Sequence, residues 1–317
     1  MTSQYETKRL ITFDRIKIKS NYKYLLNTKV KFNEMFHSRS GEKIGIFYSS
    51  KDDINIPYNL YIAVSYIKQT LTLEFSSKIL KEKYPDLISR DTIKECLTNI
   101  NQLNICDIDV DSILSNGAIT SVDVTYDANL ILSDNLLDAL NSQVNNYRRF
   151  KWAHYDKEGI MFTKDVKSKD CTETIILYNK EKEICTSHNK DFLNSLSQPQ
   201  TVMNYFKGKT RFEVTLDTPK KIMNYLNLAD TKISSVLNSD TNPILTQFDK
   251  VFSNSTANMP NTTFDDYENW AMKIILERYN GDLKLLEQNV RSKFSSRSGA
   301  TKRMKKFETV YLSLIHI

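Results

Sequence analysis

The chain has 317 residues, 40% of them hydrophobic, with 44 Lys and Arg against 38 Asp and Glu, a net charge of +6, 4 cysteines and 7 glycines. That length and apolar share build one large domain or two ordinary ones without outside help, and the modest basic surplus favours an anionic partner such as nucleic acid. No run approaches the ~18 apolar residues of a membrane span and the start, MTSQYETKRL, has no signal pattern, so a soluble cytoplasmic protein with no membrane partner is expected.

In chain order, residues 1–8 are polar and read as frayed. LITFDRIKIKS (10–20) and KIGIFYSS (43–50) alternate apolar and polar side chains and predict strands. NLYIAVSYI (59–67) and QTLTLEFSSKIL (69–80) predict a hairpin with its tip at Lys68–Gln69, and the second arm passes into a helix near Ser76, offered as N-cap, that Pro85 ends. SRDTIKECLTNINQL (89–103) carries Ile93, Leu97, Ile100 and Leu103 on one helical stripe, and DVDSILSNG (109–117) predicts a short helix stopped at Gly117.

ITSVDVTYD (119–127) sets Val122 and Val124 against Asp123, Thr125 and Asp127, as expected of a half-buried strand. LSDNLLDALNSQVNNY (132–147) predicts a helix. The patch YRRFKWAHYDK (147–157) interleaves Arg148, Arg149, Lys151 and Lys157 with Tyr147, Phe150, Trp152 and Tyr155. Charges that track phosphates beside rings that stack bases describe a single-strand groove; an outer strand with inward rings and solvated cations is the plainer reading. GIMFTKDV (159–166) and TETIILYNKEKEI (172–184) read as consecutive strands, followed by helices over 188–196 and 201–209 and by the strand TRFEVTL (210–216), in which Phe212, Val214 and Leu216 oppose Arg211, Glu213 and Thr215. Beyond Thr218 the periodicity is helical to residue 312, apart from a polar linker at 253–263. The fold class expected is α+β: a central antiparallel sheet of about five or more strands flanked by helices, residues 1–240 forming a catalytic domain and 241–317 an all-helical C-terminal region.

If strands 119–127, 172–184 and 210–216 share a sheet, one face is core and the other presents Tyr178, Lys180, Arg211 and carboxylates. That set suits metal-assisted attack on a phosphodiester: Asp123, Glu213 and Glu183 hold a divalent cation, the cation polarises the phosphate, and the Tyr178 hydroxyl attacks. Lys180 lies two residues on, where an ammonium lowers the phenol's pKa or neutralises the phosphate. Each residue has a plainer role: Glu183 begins the next loop, Asp127 caps a turn, and Arg211 either grips phosphate bidentately or pairs with Glu213. His37, His154, His188 and His316 are isolated, Cys96, Cys106, Cys171 and Cys185 include no CxxC pair, and no GxxxxGK[ST] occurs. Histidine and zinc centres, a disulfide framework and a nucleotide-driven motor are therefore not indicated, and reduced thiols are expected.

The succession LTLEFSSKIL, NINQLNICDIDVDSIL, TSVDVTYD, LYNKEKE and RFEVTL resembles the phage and plasmid replication initiation proteins of the gene II/X family, over roughly residues 9–240. The resemblance implies a rolling-circle initiator: a site-specific single-strand endonuclease and ligase that nicks an origin through a tyrosine-5′-phosphate, needs Mg2+ or Mn2+, and works with host helicase, polymerase and single-strand binding protein on double- and single-stranded origin DNA. The tyrosine-x-lysine strand falls on Tyr178 and Lys180 and the R-x-E strand on Arg211 and Glu213. The wider superfamily's paired metal-binding histidines are missing, so Asp123 and Glu213 would stand in. Tyr155 and Tyr126 are rival nucleophiles. A non-catalytic origin-binding protein is the alternative function, and a relaxase-like transposase a third. Arg291, Lys293, Arg297, Lys302, Arg303, Lys305 and Lys306 of the tail are candidates for duplex contacts. The closing SLIHI (313–317) resembles a translated sequencing adapter and is given no fold or functional weight.

Overall fold

The computed structural model describes residues 11–133, 150–155, 159–164, 173–244, 247, 272–273, 275–293 and 296–315. The chain divides into two compact units, residues 1–129 with 180–244 and residues 130–179 with 245–317.

The first unit is an antiparallel sheet with helices, α+β as expected. Its strands are β1 (Phe13–Asn21), β3 (Asn33–Phe36), β4 (Lys43–Ser49), β5 (Leu60–Ser65), β6 (Thr70–Ser76), β8 (Ala118–Ala128) and β12 (Thr210–Leu216), in the spatial order β3-β4-β5-β6-β1-β8-β12. Alternation decides which side of each strand is buried. Ile16 stands opposite Phe75 and Val122, Ile18 opposite Leu73, and Val124 opposite Val214, all of them buried. The other face carries Arg15, Lys17, Glu74, Asp123, Asp127, Arg211 and Glu213, brought into neighbouring rows by the same registers. Gly117 lies under the apolar face, where a Cβ would stand 3.1 Å from Ile18 Cγ2 and 2.8 Å from Ile233 Cδ1.

Around this sheet lie α1 (Ile93–Gln102), α2 (Val110–Asn116), α4 (Ser187–Asn194), α5 (Pro199–Phe206), α6 (Pro219–Leu226) and α7 (Ile233–Leu237), close to the predicted bounds. Three short strands escaped the sequence reading: β3, and the pair β2 (Leu25–Thr28) and β7 (Cys106–Ile108), which form a small sheet of their own. None is long enough to show period-2 alternation. The segment after β6 is a correction. Ser77–Asp86 is 3-10 rather than α-helical, broken at Lys81 (φ 55°, ψ −119°), with Pro85 inside it and no side-chain cap from Ser76. The Ser77 hydroxyl instead donates to Asp14.

A second correction concerns Lys180. The strand expected over 172–184 ends at Asn179, and α3 (Lys180–Ile184) begins at once. KEKEI is composed of helix formers, and the Lys180–Glu183 pair closes a turn at i,i+3.

The second unit contains the antiparallel meander β9 (Phe150–Tyr155), β10 (Gly159–Lys164) and β11 (Glu173–Asn179). It also contains α8 (Leu283–Lys293) and α9 (Arg297–Ile315), which pack around a core including Leu286, Val290, Met304 and Phe307. The backbone stays helical through Ile315, further than the discounted ending allowed for. Cys96, Cys106 and Cys185 are free thiols. Cys171, Arg148, Arg149, Lys157, residues 1–8 and the linker expected at 253–263 lie outside the described residues, as does most of the helix expected at 132–147. Among the described residues no helix is long and apolar enough to cross a membrane.

Ile16 is fully buried in β1, between β6 and β8. Ile16→Ala is expected to cost about 2–5 kcal/mol, read as a lower urea midpoint; an unchanged midpoint would show that the apolar face is not the core of this unit.

Candidate functional site

The polar face of the first unit is a network of buried and half-buried charges. Arg211 on β12 is 0% exposed. It meets Asp127 on the facing rung of β8 through two parallel bonds, Nε to Oδ1 at 2.6 Å and Nη2 to Oδ2 at 2.8 Å. Its third nitrogen reaches Tyr84 Oη at 2.9 Å and Asp14 Oδ1 at 3.2 Å, with Glu213 Oε1 at 3.9 Å. Asp14 reaches inward because β1 shifts register between Phe13 and Arg15, a bulge that re-aims one side chain. The rings of Tyr84 and Phe206 lie 5.3 and 5.2 Å from the guanidinium carbon. Arg211, read from the sequence as either a phosphate contact or an ion-pair partner of Glu213, is here a buried ion-pair hub held mainly by Asp127.

Lys180, 1% exposed, bonds Glu183 at 2.5 Å and sits 5.3 Å from the Tyr84 ring centroid. Glu183 also accepts from Asn189 at 3.0 Å, and Asn189 accepts from Lys78 at 2.6 Å. Burial works against Glu183's charge, but Lys180 and these hydrogen bonds outweigh it and hold the carboxyl below its ordinary range. Along the same face Asp123 takes two bonds from Arg15, at 2.7 and 3.0 Å, and one from Thr215 at 2.8 Å. Arg15 continues to Glu74 at 2.8 Å, and Glu74 to Lys17 at 2.9 Å.

Glu213 is the exception. Burial first, then the neighbouring charge of Asp14, push its carboxyl up to about 8, although Arg211 pulls the other way. In this network Arg15, Lys17, Lys78, Lys180 and Arg211 are matched by Asp14, Glu74, Asp123, Asp127 and Glu183. Glu213, 3.9 Å from the Arg211 guanidinium, is the carboxyl of this network whose charged form burial disfavours most plainly.

Asp123, Glu213 and Glu183 do not fit a divalent cation as a set: Asp123 and Glu183 are engaged by Arg15 and Lys180, and among the described residues no three His, Cys, Asp or Glu side chains converge to hold a metal ion. Tyr126 alternates onto the rows of Val124 and Phe212, away from the charged face.

In the second unit, Tyr178 is buried near the end of β11, and Gly159 on β10 stands opposite it. Gly159 also stands opposite Tyr155 on β9, so Tyr155, Gly159 and Tyr178 occupy one row across the meander. A Cβ on Gly159 would fall on the carbonyl of Leu177 and the Cβ of Tyr178; only glycine fits there. Lys151 and Trp152 stand on β9 opposite Thr163 and Phe162.

Residues 87–235, from before α1 into α7, match the family model for the N-terminal part of the phage gene II replication-associated protein. That match spans a little under half of the chain, and over it the chain is similar to the phage replication-associated proteins. No curated protein and no solved structure matches it. The gene II-type segment contains Asp123, Tyr155, Tyr178, Lys180, Arg211 and Glu213, whereas Asp14, Arg15, Glu74, Lys78 and Tyr84 come from the strands and the 3-10 segment before it. Asp14 and Tyr84 carried no signal in the sequence: their roles depend on the β1 bulge and on a 3-10 segment.

Two outcomes follow from the charge geometry. Arg211→Met would leave Asp127 and Asp14 buried beside no guanidinium and is expected to cost about 3–5 kcal/mol in urea unfolding; a near-neutral effect would rule out Arg211 as the hub. Glu213's folded pKa lies above its unfolded value, so its contribution is complete below about 4.5 and is lost as pH rises through about 8. Glu213→Gln is expected to flatten the decline in stability between those limits; parallel wild-type and variant pH profiles would refute the assignment.

Proposed function

We propose that this replication-associated protein nicks a phage or plasmid origin to start rolling-circle replication, with Tyr178 as nucleophile. The Tyr178 oxygen attacks the scissile phosphorus and the P–O3′ bond breaks. The 5′ phosphate becomes a phosphotyrosyl ester, the phenolic proton leaves to solvent, and the departing 3′ oxygen is protonated as the hydroxyl a host polymerase extends. A later strand transfer to a 3′ hydroxyl reverses the chemistry and closes the displaced circle, so the bond energy is retained without ATP. Host helicase and single-strand binding protein belong to the same proposal.

The observation that carries this reading is the family match over residues 87–235, which spans both tyrosines of the Tyr155–Gly159–Tyr178 row. The absence of any side chain at Gly159 gives that row its space. Lys180, held by Glu183, is read as a positioning residue that fixes where the tyrosine strand ends and α3 begins. Mg2+ or Mn2+ enters the proposal only as a dependence to be measured by EDTA, since Asp123, Glu213 and Glu183 do not fit it as a set. The burial of Tyr178, 4% exposed, favours a second reading, origin binding without cleavage.

The decisive assay incubates the protein with labelled single-stranded oligonucleotides tiled across its replicon, in Mn2+, and looks for a denaturant-resistant protein–DNA band. The band is expected from wild type and expected to vanish with Tyr178→Phe. Survival in that variant and loss with Tyr155→Phe would move the nucleophile across the row, and no band on any oligonucleotide would leave origin binding alone.

A further inference from the structure

On the charged side of the first unit's sheet, the rows toward β4 and β5 change character. Ser49, Tyr61, Glu74 and Lys17 form one row across β4, β5, β6 and β1, and Phe47, Ala63, Thr72 and Lys19 form the next. Tyr61 and Phe47 are therefore diagonal neighbours on one side of the sheet, their ring centroids 6.1 Å apart and their planes 33° from parallel. Among the described ring pairs this is the one in which neither ring is buried; every other pair includes a buried ring. Both rings are half-buried, and among the described residues no cation and no third ring lies over either. The Tyr61 hydroxyl has no hydrogen-bond partner there.

The surroundings of the pair are low and basic. Ala63 and Thr72, the side chains between Phe47 and Lys19, are small, so nothing bulky stands between the rings and that lysine. From Gly45 on β4 across to β1 beyond its bulge, this side carries Arg15, Lys17 and Lys19 against one carboxylate, Glu74, whose two oxygens are taken by Arg15 at 2.8 Å and Lys17 at 2.9 Å. Lys19 is exposed, and its ammonium has no ion pair among the described residues. It stands three strand spacings from Phe47, about 14 Å, so a group on the rings and an anion at Lys19 do not compete for one place. Paired rings on a sheet with cations to one side hold single strands, because bases lie on the rings and the charges take the phosphates. A duplex hides its base faces within its stack and leaves rings on a flat sheet unused. We propose that Phe47 and Tyr61 form a stacking platform for two successive unpaired bases of single-stranded DNA, with Lys19 at a flanking phosphate. The choice of DNA rests on the replication reading above, and the proposal deepens that reading by adding a single-strand contact on β4 and β5, before the gene II-type segment begins at residue 87.

The test uses the full chain and fluorescence anisotropy with a labelled oligo-dT strand, an abasic strand of equal length and a paired duplex. Tyr61→Leu keeps apolar cover on the sheet but removes the ring, and is expected to weaken oligo-dT binding roughly ten-fold, the scale of one lost base stack, with abasic and duplex binding unchanged. Tyr61→Phe keeps the ring and is expected to bind all three as wild type does. Lys19→Gln is expected to weaken oligo-dT and abasic strands alike and to reduce the salt slope by about 0.7, one phosphate contact on a single strand. A measurement on the unaltered chain stands beside the variants: a strand carrying 5-iododeoxyuridine is expected to crosslink on irradiation at Phe47 or Tyr61, as mapped by mass spectrometry of the peptides. Oligo-dT binding by Tyr61→Leu equal to wild type, equal losses on all three DNAs, or crosslinks confined to other peptides would overturn the proposal. So would a dimer in sedimentation that Tyr61→Leu abolishes while oligo-dT binding stays intact, which would give this face to a second copy of the chain. The covalent assay separates the two claims. An adduct with wild type alongside unaffected oligo-dT binding by Tyr61→Leu removes the platform and keeps the nicking reading; a selective oligo-dT loss with no adduct does the reverse.

Discussion

A buried guanidinium is the constraint on which the first unit depends. Arg211 is wholly enclosed, and an unpaired charge there would cost several kcal/mol, so the fold must deliver partners from several directions. β8 supplies Asp127 across one rung, the bulge in β1 supplies Asp14, and the 3-10 segment after β6 supplies the Tyr84 hydroxyl. The aromatic rings of Tyr84 and Phe206 shield what remains. Features that look incidental one by one, a register slip, a kinked 3-10 turn and a tyrosine before a proline, are the means by which one cation is accommodated.

The same face shows how a charge-rich sheet surface stays folded. Cations and carboxylates alternate from Lys17 through Glu74, Arg15 and Asp123, and again from Lys78 through Asn189, Glu183 and Lys180, so each carboxylate in these chains meets a donor. Burial first, then the charges of Asp14 and Asp123, push the Glu213 carboxyl up to about 8. A carboxyl whose pKa burial raises toward neutral pH would be ionised more readily by a cation brought near it. These carboxylates are thus first a structural network, and whatever chemistry they support is built on that.

The network also crosses the boundary of the gene II-type segment. Half of its members precede residue 87, so the strands β1 and β6 and the 3-10 segment complete a face that the segment alone leaves with unmatched charge. The tyrosine row belongs to the other unit, organised by a different constraint: a glycine too close to its neighbours to carry a side chain.

Period-2 alternation in β1, β5, β6, β8 and β12 was enough to name the strands, and in β8 and β12 to separate the apolar row from the charged one, because successive side chains of a strand point to opposite faces. Helix bounds followed from stripes and stops in the same way, and the order of short motifs resembles the family whose model matches residues 87–235. What those local patterns could not contain was partnership across the chain. Arg211, whose guanidinium fork suits phosphate and carboxylate alike, read as a DNA contact or an ion pair, and only the pairing of β12 with β8 set it against Asp127. Lys180 continued an alternating string on paper yet begins a helix, since its ammonium is satisfied by Glu183 one turn ahead rather than across a strand. The Tyr155–Gly159–Tyr178 row joins three strands, and strand register, which no local periodicity encodes, decided it.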